Sequence, residues 1–431
     1  MTHTWDVVIV GGGLAGLVAA NCLAGNGLSI LVLEKGAEVG GRARTQRIGH
    51  QYFNLGPHAL PQKGKAVSIL EELDIEFSGK PPKLGGQLMK EGLAYAAPFT
   101  LSGLATTRLL QARERMEWAK VLLQISSADP GKLSHQTFEQ WVRRMTGSAP
   151  VQSLLYLLGR LATYCHAPDL ASAKVIVSHI KTVLSGVLYL DHGWQSLIDQ
   201  LHNRAVISGV QVQSQKCFKQ MNTEQHGLFK VILSDDEKVW GRNVLWTGAP
   251  LELSRVLAEQ PANFPVDPLP AFVPVKGASL DVALSRLPNP KQLFSMSLTE
   301  PVYFSVHSNY ARLSDDVSSA VLHVLRYYHP EEHPDPKRIR TELEQFLEQM
   351  QPGWRNYELN SRFLPQIAVN QRLPQIGDEQ RLARFKKSIP GLYIAGDWAS
   401  PDFMLAEGAL TSAKQAAEDI MAKEKRRYHA D

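Results

Sequence analysis

Cysteine is scarce: three in 431 residues, Cys22, Cys165 and Cys217. No two form a C-x-x-C pair, so neither a disulfide framework nor a zinc site is supported. Such usage fits a reducing compartment, and Cys22, within the first helical stretch, reads as a small core residue. Long apolar runs are also missing. Val7 to Ala20 is too short and too glycine-rich for a membrane span, and no later segment supplies about 18 unbroken apolar residues. Asp6 precedes the first apolar run and no basic stretch leads it, so no secretory signal is expected. The expectation is a cytoplasmic protein with at most peripheral membrane contact. Charge of one sign is not in excess either: 46 Lys and Arg stand against 42 Asp and Glu. Apart from Lys423 to Arg427, which reads as the end of a final helix, the basic residues are scattered. No nucleic-acid motif occurs, and no nucleic-acid partner is expected. Internal repeats, low-complexity segments, Ser–His–Asp spacing and metal-ligand spacing are all absent, so hydrolase and metal chemistry fall away.

What is present begins at once with "WDVVIVGGGLAGLVAANCLAGNGLSILVLEK". Asp6 to Val10 reads as a buried parallel strand. Gly11, Gly13 and Gly16 then form G-x-G-x-x-G, with Leu14 and Ala15 between them and helical character from Leu17 to Leu23. The first glycine permits a tight turn, the second lets a diphosphate approach the backbone, and the third lets helix and strand pack closely. Phosphates would sit on the free N–H groups of the helix start. Ser29 to Leu33 reads as a second strand ending at Glu34 and Lys35, about where an acid meets ribose hydroxyls. A carboxylate there disfavours a 2′-phosphate, so NADP is not expected. NAD and FAD remain open at this point.

Further on, "EVGGRARTQRIGHQYFNLGPHAL" carries a second glycine turn, Gly40-Gly41, followed by Arg42 and Arg44. The arginines can donate charge-assisted hydrogen bonds to the same diphosphate. Near the C-terminus, "PGLYIAGDWASPDFMLAEGALTSAKQAAEDI" reads as a strand, Leu392 to Ala395, ending at Gly396-Asp397. A loop and a helix opening near Glu407-Gly408-Ala409 follow. An Asp at a strand end can take ribityl hydroxyls, and a helix N-terminus can stabilise negative charge on a reduced flavin.

These stretches together resemble the flavin-containing amine oxidase, protoporphyrinogen oxidase and phytoene desaturase superfamily of FAD-dependent oxidoreductases. "AGDW" looks most like the plant-type phytoene desaturases and squalene-associated desaturases. The resemblance implies FAD, and non-covalent FAD, because "SRFLPQIAVNQRLPQIG" offers no cysteine for attachment. It places Gly56, Pro57 and His58 beside the isoalloxazine, with Asn54 where an Asp is common. It also implies adenine contact at the end of the strand through Val210 and Val212, near Cys217 to Lys219, and a cofactor-side turn at Thr247-Gly248-Ala249. The implied fold is α/β: a Rossmann-like FAD-binding domain of parallel sheet and helices, assembled from residues 1–65, 191–265 and 380–431. Residues 66–190 would form a mainly helical substrate or lid region, and 266–379 a substrate-binding antiparallel sheet with helices.

The pattern between the ends agrees. Helical spacing recurs between Ala66 and Asp191, and Arg108, Arg113, Arg115 and Lys120 there suit shallow membrane contact. Gln195 to Asn203 reads as a helix, "GLFKVIL" and "VWGRNVLWTGAP" as a hairpin-like pair, Phe272 to Tyr328 as antiparallel strands and Pro336 to Met350 as a helix. The leading functional reading is a dehydrogenase or desaturase that oxidises a hydrophobic small molecule by hydride transfer to flavin N5, with oxygen or quinone as acceptor. The alternative is a flavin amine oxidase or protoporphyrinogen-oxidase-like enzyme. A binding protein for prenylated or other hydrophobic ligands stands third. Leu405 and Ala406 occupy a position where amine oxidases carry an aromatic residue, which favours the first reading. His58, Tyr303, His307, His323 and Arg362 are the polar candidates near a substrate. Each also suits a local hydrogen bond, and none is assigned a catalytic role.

Overall fold

The computed structural model describes residues 3–83, 85–224, 227–259 and 269–428. It opens as a β-α-β unit: β1 (Thr4–Val10), α1 (Leu14–Leu23) and β2 (Ile30–Leu33). Val7 to Val10 and the whole of β2 are buried, as strands covered on both faces must be. α1 is apolar almost all round and shares one core with the strands and the final helix. The Gly40–Arg44 turn and a small ladder of Thr45–Ile48 with Gln51–Asn54 lead to α2 (Lys65–Glu72). Then come α3 (Ala112–Ser127), α4 (Phe138–Met145), α5 (Ala149–Thr163) and α6 (Ala173–Leu184). Their apolar stripes meet in one cluster through Trp118, Trp141, Leu154, Ile176 and Ile180.

The chain returns through α7 (Gln195–Ile207), β3 (Gln211–Gln213), β4 (Phe218–Thr223), β5 (Phe229–Leu233) and β6 (Lys238–Trp246). It then builds β7 (Val275–Leu284), β8 (Phe294–Ser297), β9 (Val302–Val306) and β10 (Ala320–Tyr327). Helix α8 (Pro336–Met350), β11 (Glu358–Asn370), β12 (Leu392–Ile394) and α9 (Leu405–Tyr428) complete it.

Two seven-stranded sheets result. In the first, the order is β3-β2-β1-β6-β5-β4, with β12 beside β6. β3, β2, β1, β6 and β12 run parallel, while β4 to β6 form an antiparallel meander. Its strands come from three separated stretches, as the resemblance implies. The second has the order β11-β7-β10-β9-β8 and ends in the hairpin Gln87–Lys90/Leu93–Ala96. It is antiparallel except where β8 runs alongside Gln87–Lys90. The architecture is the expected mixed α/β one.

Three details differ. The strand through Val212 ends at Gln213, and Cys217 precedes a separate strand, β4. α7 runs on past Asn203 to Ile207. β11, which carries Pro365, has no counterpart among the strands expected from sequence. It is an edge strand, where a missing N–H is tolerated.

The second sheet is two-faced. Leu280, Val282, Phe304, Leu322 and Val324 pack on α8 through Leu343 and Leu347. The alternate residues, Asp281, Tyr303, Ser305, His323 and Leu325, lie on the opposite face, which the α3–α6 layer and Phe53 and Tyr189 cover. A polar row is thus buried between layers.

Candidate active site

Two glycines after β1 allow no other residue. A Cβ on Gly11, whose φ is 110°, would lie 2.5 Å from Thr247 Oγ1, and one on Gly16 would lie 2.0 Å from the Gly11 carbonyl oxygen. α1 therefore seats directly on β1, and its N-terminus at Gly13, before Leu14 and Ala15, has no side-chain cap. The second glycine turn abuts the first: Gly40 N–H donates to the Gly12 carbonyl at 2.8 Å, and Gly13 pairs with Gly40 as a parallel bridge. A Cβ on Gly41 would come within 3.4 Å of Gly13 Cα. The seam between the turns is bare backbone, which suits a diphosphate.

Glu34 is buried at the end of β2. Its Oε2 accepts from Gly12 N–H at 2.8 Å and its Oε1 from Gly36 N–H at 2.7 Å. One acid thus fixes both the glycine turn and the chain after β2, each oxygen keeping a lone pair for a hydroxyl donor. Lys216 N–H donates to the Glu34 carbonyl and Gln215 N–H to that of Gly36. This brings Cys217 alongside, exposed, with its own carbonyl taken by Ser234 N–H. The Lys35 ammonium pairs with Glu252 at 2.7 Å on the surface. Beside Gly11, Thr247 Oγ1 donates to the Val10 and Gly11 carbonyls, and Trp398 Nε1 donates to the Gly248 carbonyl at 3.0 Å.

Arg42 and Asp397 meet in a two-pronged pair, 2.6 and 2.8 Å, and Arg42 also donates to the Val369 carbonyl at 3.1 Å. Asp397, almost fully buried, accepts from Gln371 N–H as well. These two residues tie the second glycine turn to the end of β12. Gly396 is locked in turn by Ser412, whose hydroxyl accepts from its N–H and donates to its carbonyl, both at 2.9 Å. Gly408, in the first turn of α9, lies close by: a Cβ there would be 3.1 Å from the Asp397 carbonyl oxygen. Glu407 corrects the expectation for its side chain. Gly64 gives α2 no cap of its own, and the buried Glu407 carboxylate supplies it, accepting from Lys65 N–H at 2.8 Å and Ala66 N–H at 3.2 Å. Its acid thus serves helix packing, joining α9 to α2. Arg42→Ala should weaken FAD binding by roughly one to two decades, from ~1.5–3 kcal/mol for a charged hydrogen bond and the stranding of buried Asp397. Titration of apoprotein with FAD, followed by flavin fluorescence, checks this.

The polar candidates from the sequence converge. Asp281 faces Arg362 on β11 and His323 on β10 across the sheet. Its Oδ1 lies 2.7 Å from His323 Nδ1, and its Oδ2 lies 2.6 Å from Arg362 Nη2. Ser279 adds a 2.6 Å hydrogen bond. Burial pushes the Asp281 carboxyl up, but His323 and Arg362 beside it outweigh burial and hold it below the usual range. Arg362 reaches on to the Asn54 carbonyl and to Gln46. The ring of His307 sits 4.5 Å from that of His323, stacks on Tyr189 at 3.7 Å, and places Nε2 3.2 Å from Tyr303 Oη. His323 Nε2 and His307 Nδ1 are buried without a partner among the described residues. His58 joins from the Gly56–His58 loop, its Nδ1 3.0 Å from the Gly56 carbonyl and its ring edge-on to Trp194. Burial pushes both His58 and His307 below the ordinary imidazole range, His307 far below. Tyr164 roofs this loop by donating to the Pro57 carbonyl at 2.9 Å, with Tyr327 beside it. Leu405, at the start of α9, holds an unusual φ of 55° and donates its N–H to Asn370. Asn54, by contrast, is structural: Oδ1 accepts from Thr45 Oγ1 and Trp194 N–H.

The comparisons with known proteins agree with this geometry. The sequence model of the family described as flavin containing amine oxidoreductase matches residues 14–421. The chain belongs to the flavin-containing amine oxidoreductase family. Its cofactor is FAD, and the abutting glycine turns, Glu34 and the Arg42–Asp397 pair fit that cofactor's diphosphate and ribose chemistry. An L-amino-acid oxidase of Sistrurus catenatus edwardsii is 31% identical over 163 residues, 37% of this chain and 28% of the relative. The chain therefore spans less than a third of the length of the curated relatives it matches. A putative protoporphyrinogen oxidase from Exiguobacterium sp. 255-15 has the same fold, with TM-score 0.76 at 18% identity, covering 98% of this chain and 100% of its own. A putrescine oxidase solved with putrescine bound gives TM-score 0.74 at 16% identity, again covering 98% and 100%. No described helix of this family member is long and apolar enough to cross a membrane. Arg115 is not free for lipid: it donates to the carbonyls of Ala105, Thr107 and Leu110.

Asp281, Tyr164 and Tyr189 were not among the sequence candidates. For Asp281 a signal exists: a carboxylate inside the apolar strand "GASLDVAL" is buried only when paired. Buried histidines elsewhere give a pH prediction. Burial lowers His179 and His166 to about 4, the charge of Arg160 also acting on His166. Unfolded imidazoles titrate near pH ~6.5. The folded state then refuses protons that the unfolded chain accepts, so stability is intact above that pH and falls towards pH 4. The slope should be about 1.4 kcal/mol per pH unit for each histidine. Urea unfolding between pH 7 and 4 should show it, and His179→Gln should flatten it.

Proposed function

We propose that this protein oxidises an amine at the carbon next to nitrogen, binding FAD through Gly11, Gly13, Leu14, Ala15, Gly16, Glu34, Gly41, Arg42, Gly248, Gly396 and Asp397. Gly56, Pro57, His58 and the first turn of α9, with Ala409, lie on the flavin side, and Lys35 and Cys217 contribute backbone near adenine. When bound, FAD supplies the hydride acceptor. The chain's own residues exclude water, orient the C–H bond and keep the amine uncharged.

The observation that carries the reading is the neutral, aromatic surround of the Gly56–His58 loop: Tyr164, Tyr327 and Trp194, with histidines that burial holds uncharged. Burial in such a lining penalises the ammonium form more than the free amine, and the ring faces can hold the cation as it enters. Leu405 leaves the α9 side aliphatic, so aromatic contact would come from the helical layer. The family match and the L-amino-acid oxidase relatives favour this reading over the desaturase one. The Trp of "AGDW", Trp398, is 1% exposed and clamps the Gly248 carbonyl.

Three finer points belong to the same proposal. FAD is held non-covalently. The division into residues 1–65, 191–265 and 380–431, then 66–190, then 266–379 describes cofactor, helical and substrate parts. Electrons pass on to oxygen or a quinone, and Met116 and Leu123, exposed on α3 with Arg113 and Lys120, offer shallow contact with a membrane. Aerobic incubation of holoprotein with separate amines, L-amino acids, polyenes and porphyrinogens tests the reaction class. Carbonyl product and ammonia in equal amounts from an amine or amino acid support it. Turnover of a polyene or porphyrinogen alone removes it.

A further inference from the structure

Arg160 lies in the last turn of α5 and is 8% exposed. Among the described residues no carboxylate pairs with it. Its Nη2 donates to the Ser297 carbonyl at 3.1 Å, and its Nε has no partner. The end of its own helix adds partial negative charge. Neither neutralises a guanidinium, and an uncompensated buried charge is costly. The other buried arginines behave differently: Arg372 pairs with Asp378 at 2.8 Å, and Arg326 with Glu332 and Glu342. Asp169, on the loop that follows α5, faces His329 at 3.8 Å.

The same arginine lines a cavity of about 140 Å³ between α4, α5 and α6. Its walls are mainly apolar, from Phe138, Tyr156, Ala171 and Ile176, and Arg160 is the one permanent cation among its described lining residues. His166, also on the wall, is kept neutral by burial and by Arg160. A dry apolar cavity of roughly 150 Å³ is large enough for a benzene ring.

We propose that this cavity is a binding site for a small organic carboxylate with an apolar body, its carboxylate on Arg160 and its body against Phe138, Tyr156 and Ile176. None of the lining residues belongs to the FAD cradle or the Asp281 row. The proposal does not rest on amine oxidation, since binding here is read without turnover. It also explains why the fold keeps an unpaired buried cation: the ligand supplies the missing negative charge, and a guanidinium recognises a carboxylate with two parallel hydrogen bonds.

The test is calorimetric titration of holoprotein with benzoate and with its neutral isostere benzamide, repeated on Arg160→Met and Ile176→Phe. Benzoate should bind one to one and at least tenfold more tightly than benzamide. Arg160→Met should weaken benzoate roughly 10- to 150-fold, the range for a charged hydrogen bond, and leave benzamide unchanged. Ile176→Phe, which fills the cavity and keeps the charge, should abolish both. Arg160→Met should also raise the melting temperature of ligand-free protein, because an unpaired buried charge is replaced by an apolar side chain; a purely structural arginine would lower it. Equal affinity for benzoate and benzamide, no benzoate binding, or unchanged benzoate affinity in either variant overturns the proposal. If Arg160→Met does not fold, the structural role stands and the proposal fails.

Discussion

Asp281→Ala should destabilise the protein by about 3–5 kcal/mol, the cost of leaving a buried charge without its partner. The side chain is completely buried, and removing it strands His323 at 0% exposure and Arg362 at 12%. Arg362 also anchors Gln46 and the Asn54 carbonyl, so the loss would spread to the Gly56–His58 loop. Two comparisons make the number interpretable. Adding Arg362→Met to the alanine variant should recover part of the loss, because the orphaned charge goes too. Breaking the exposed Arg340–Glu344 pair should cost only ~0.3–0.5 kcal/mol. Urea unfolding of all three variants measures the difference. The effect should also depend on acid. The Asp281 carboxyl is held below its unfolded value, so its stabilisation is present at neutral pH and is lost as pH falls below about 4.

Gly16→Val should abolish useful FAD binding, lowering affinity by roughly 100-fold or more. A single Cβ at that position already meets the Gly11 carbonyl oxygen at 2.0 Å, and two further methyl groups force α1 away from β1. The uncapped N-terminus at Gly13 then leaves the seam it forms with Gly40 and Gly41. Losing two charge-assisted hydrogen bonds of ~1.5 kcal/mol each accounts for the two decades. The protein should purify without yellow colour while keeping its secondary structure by circular dichroism. A yellow variant that releases FAD only on acid precipitation would show that α1 does not set the diphosphate site.

The cofactor half of the molecule was legible because its chemistry is local. A turn that only glycine can make and an acid at a strand end each leave a mark within thirty residues of sequence. The parallel strands Val7–Val10 and Ile30–Leu33 are continuous apolar runs for the same reason, being covered on both faces. The Asp281 row depends on register, which sequence does not display. Arg362, Asp281 and His323 come from three strands up to 81 residues apart and meet only because β11, β7 and β10 align at those rungs. Without β11, Arg362 has no reason to approach Asp281. Side-chain direction was equally hidden. Glu407 sits where a flavin contact is expected, yet α2 lacks a cap and claims its carboxylate. Trp398, in "AGDW", likewise turns its indole N–H to the Gly248 carbonyl.

The most direct test of the account is anaerobic mixing of the yellow holoprotein with amines and L-amino acids, each also carrying deuterium on the carbon next to nitrogen. At least one should bleach the flavin, and deuteration should slow the bleaching, since that C–H bond is the one broken. If every amine and amino acid leaves the flavin oxidised while a polyene or porphyrinogen bleaches it, C–N oxidation is the wrong reaction for this site.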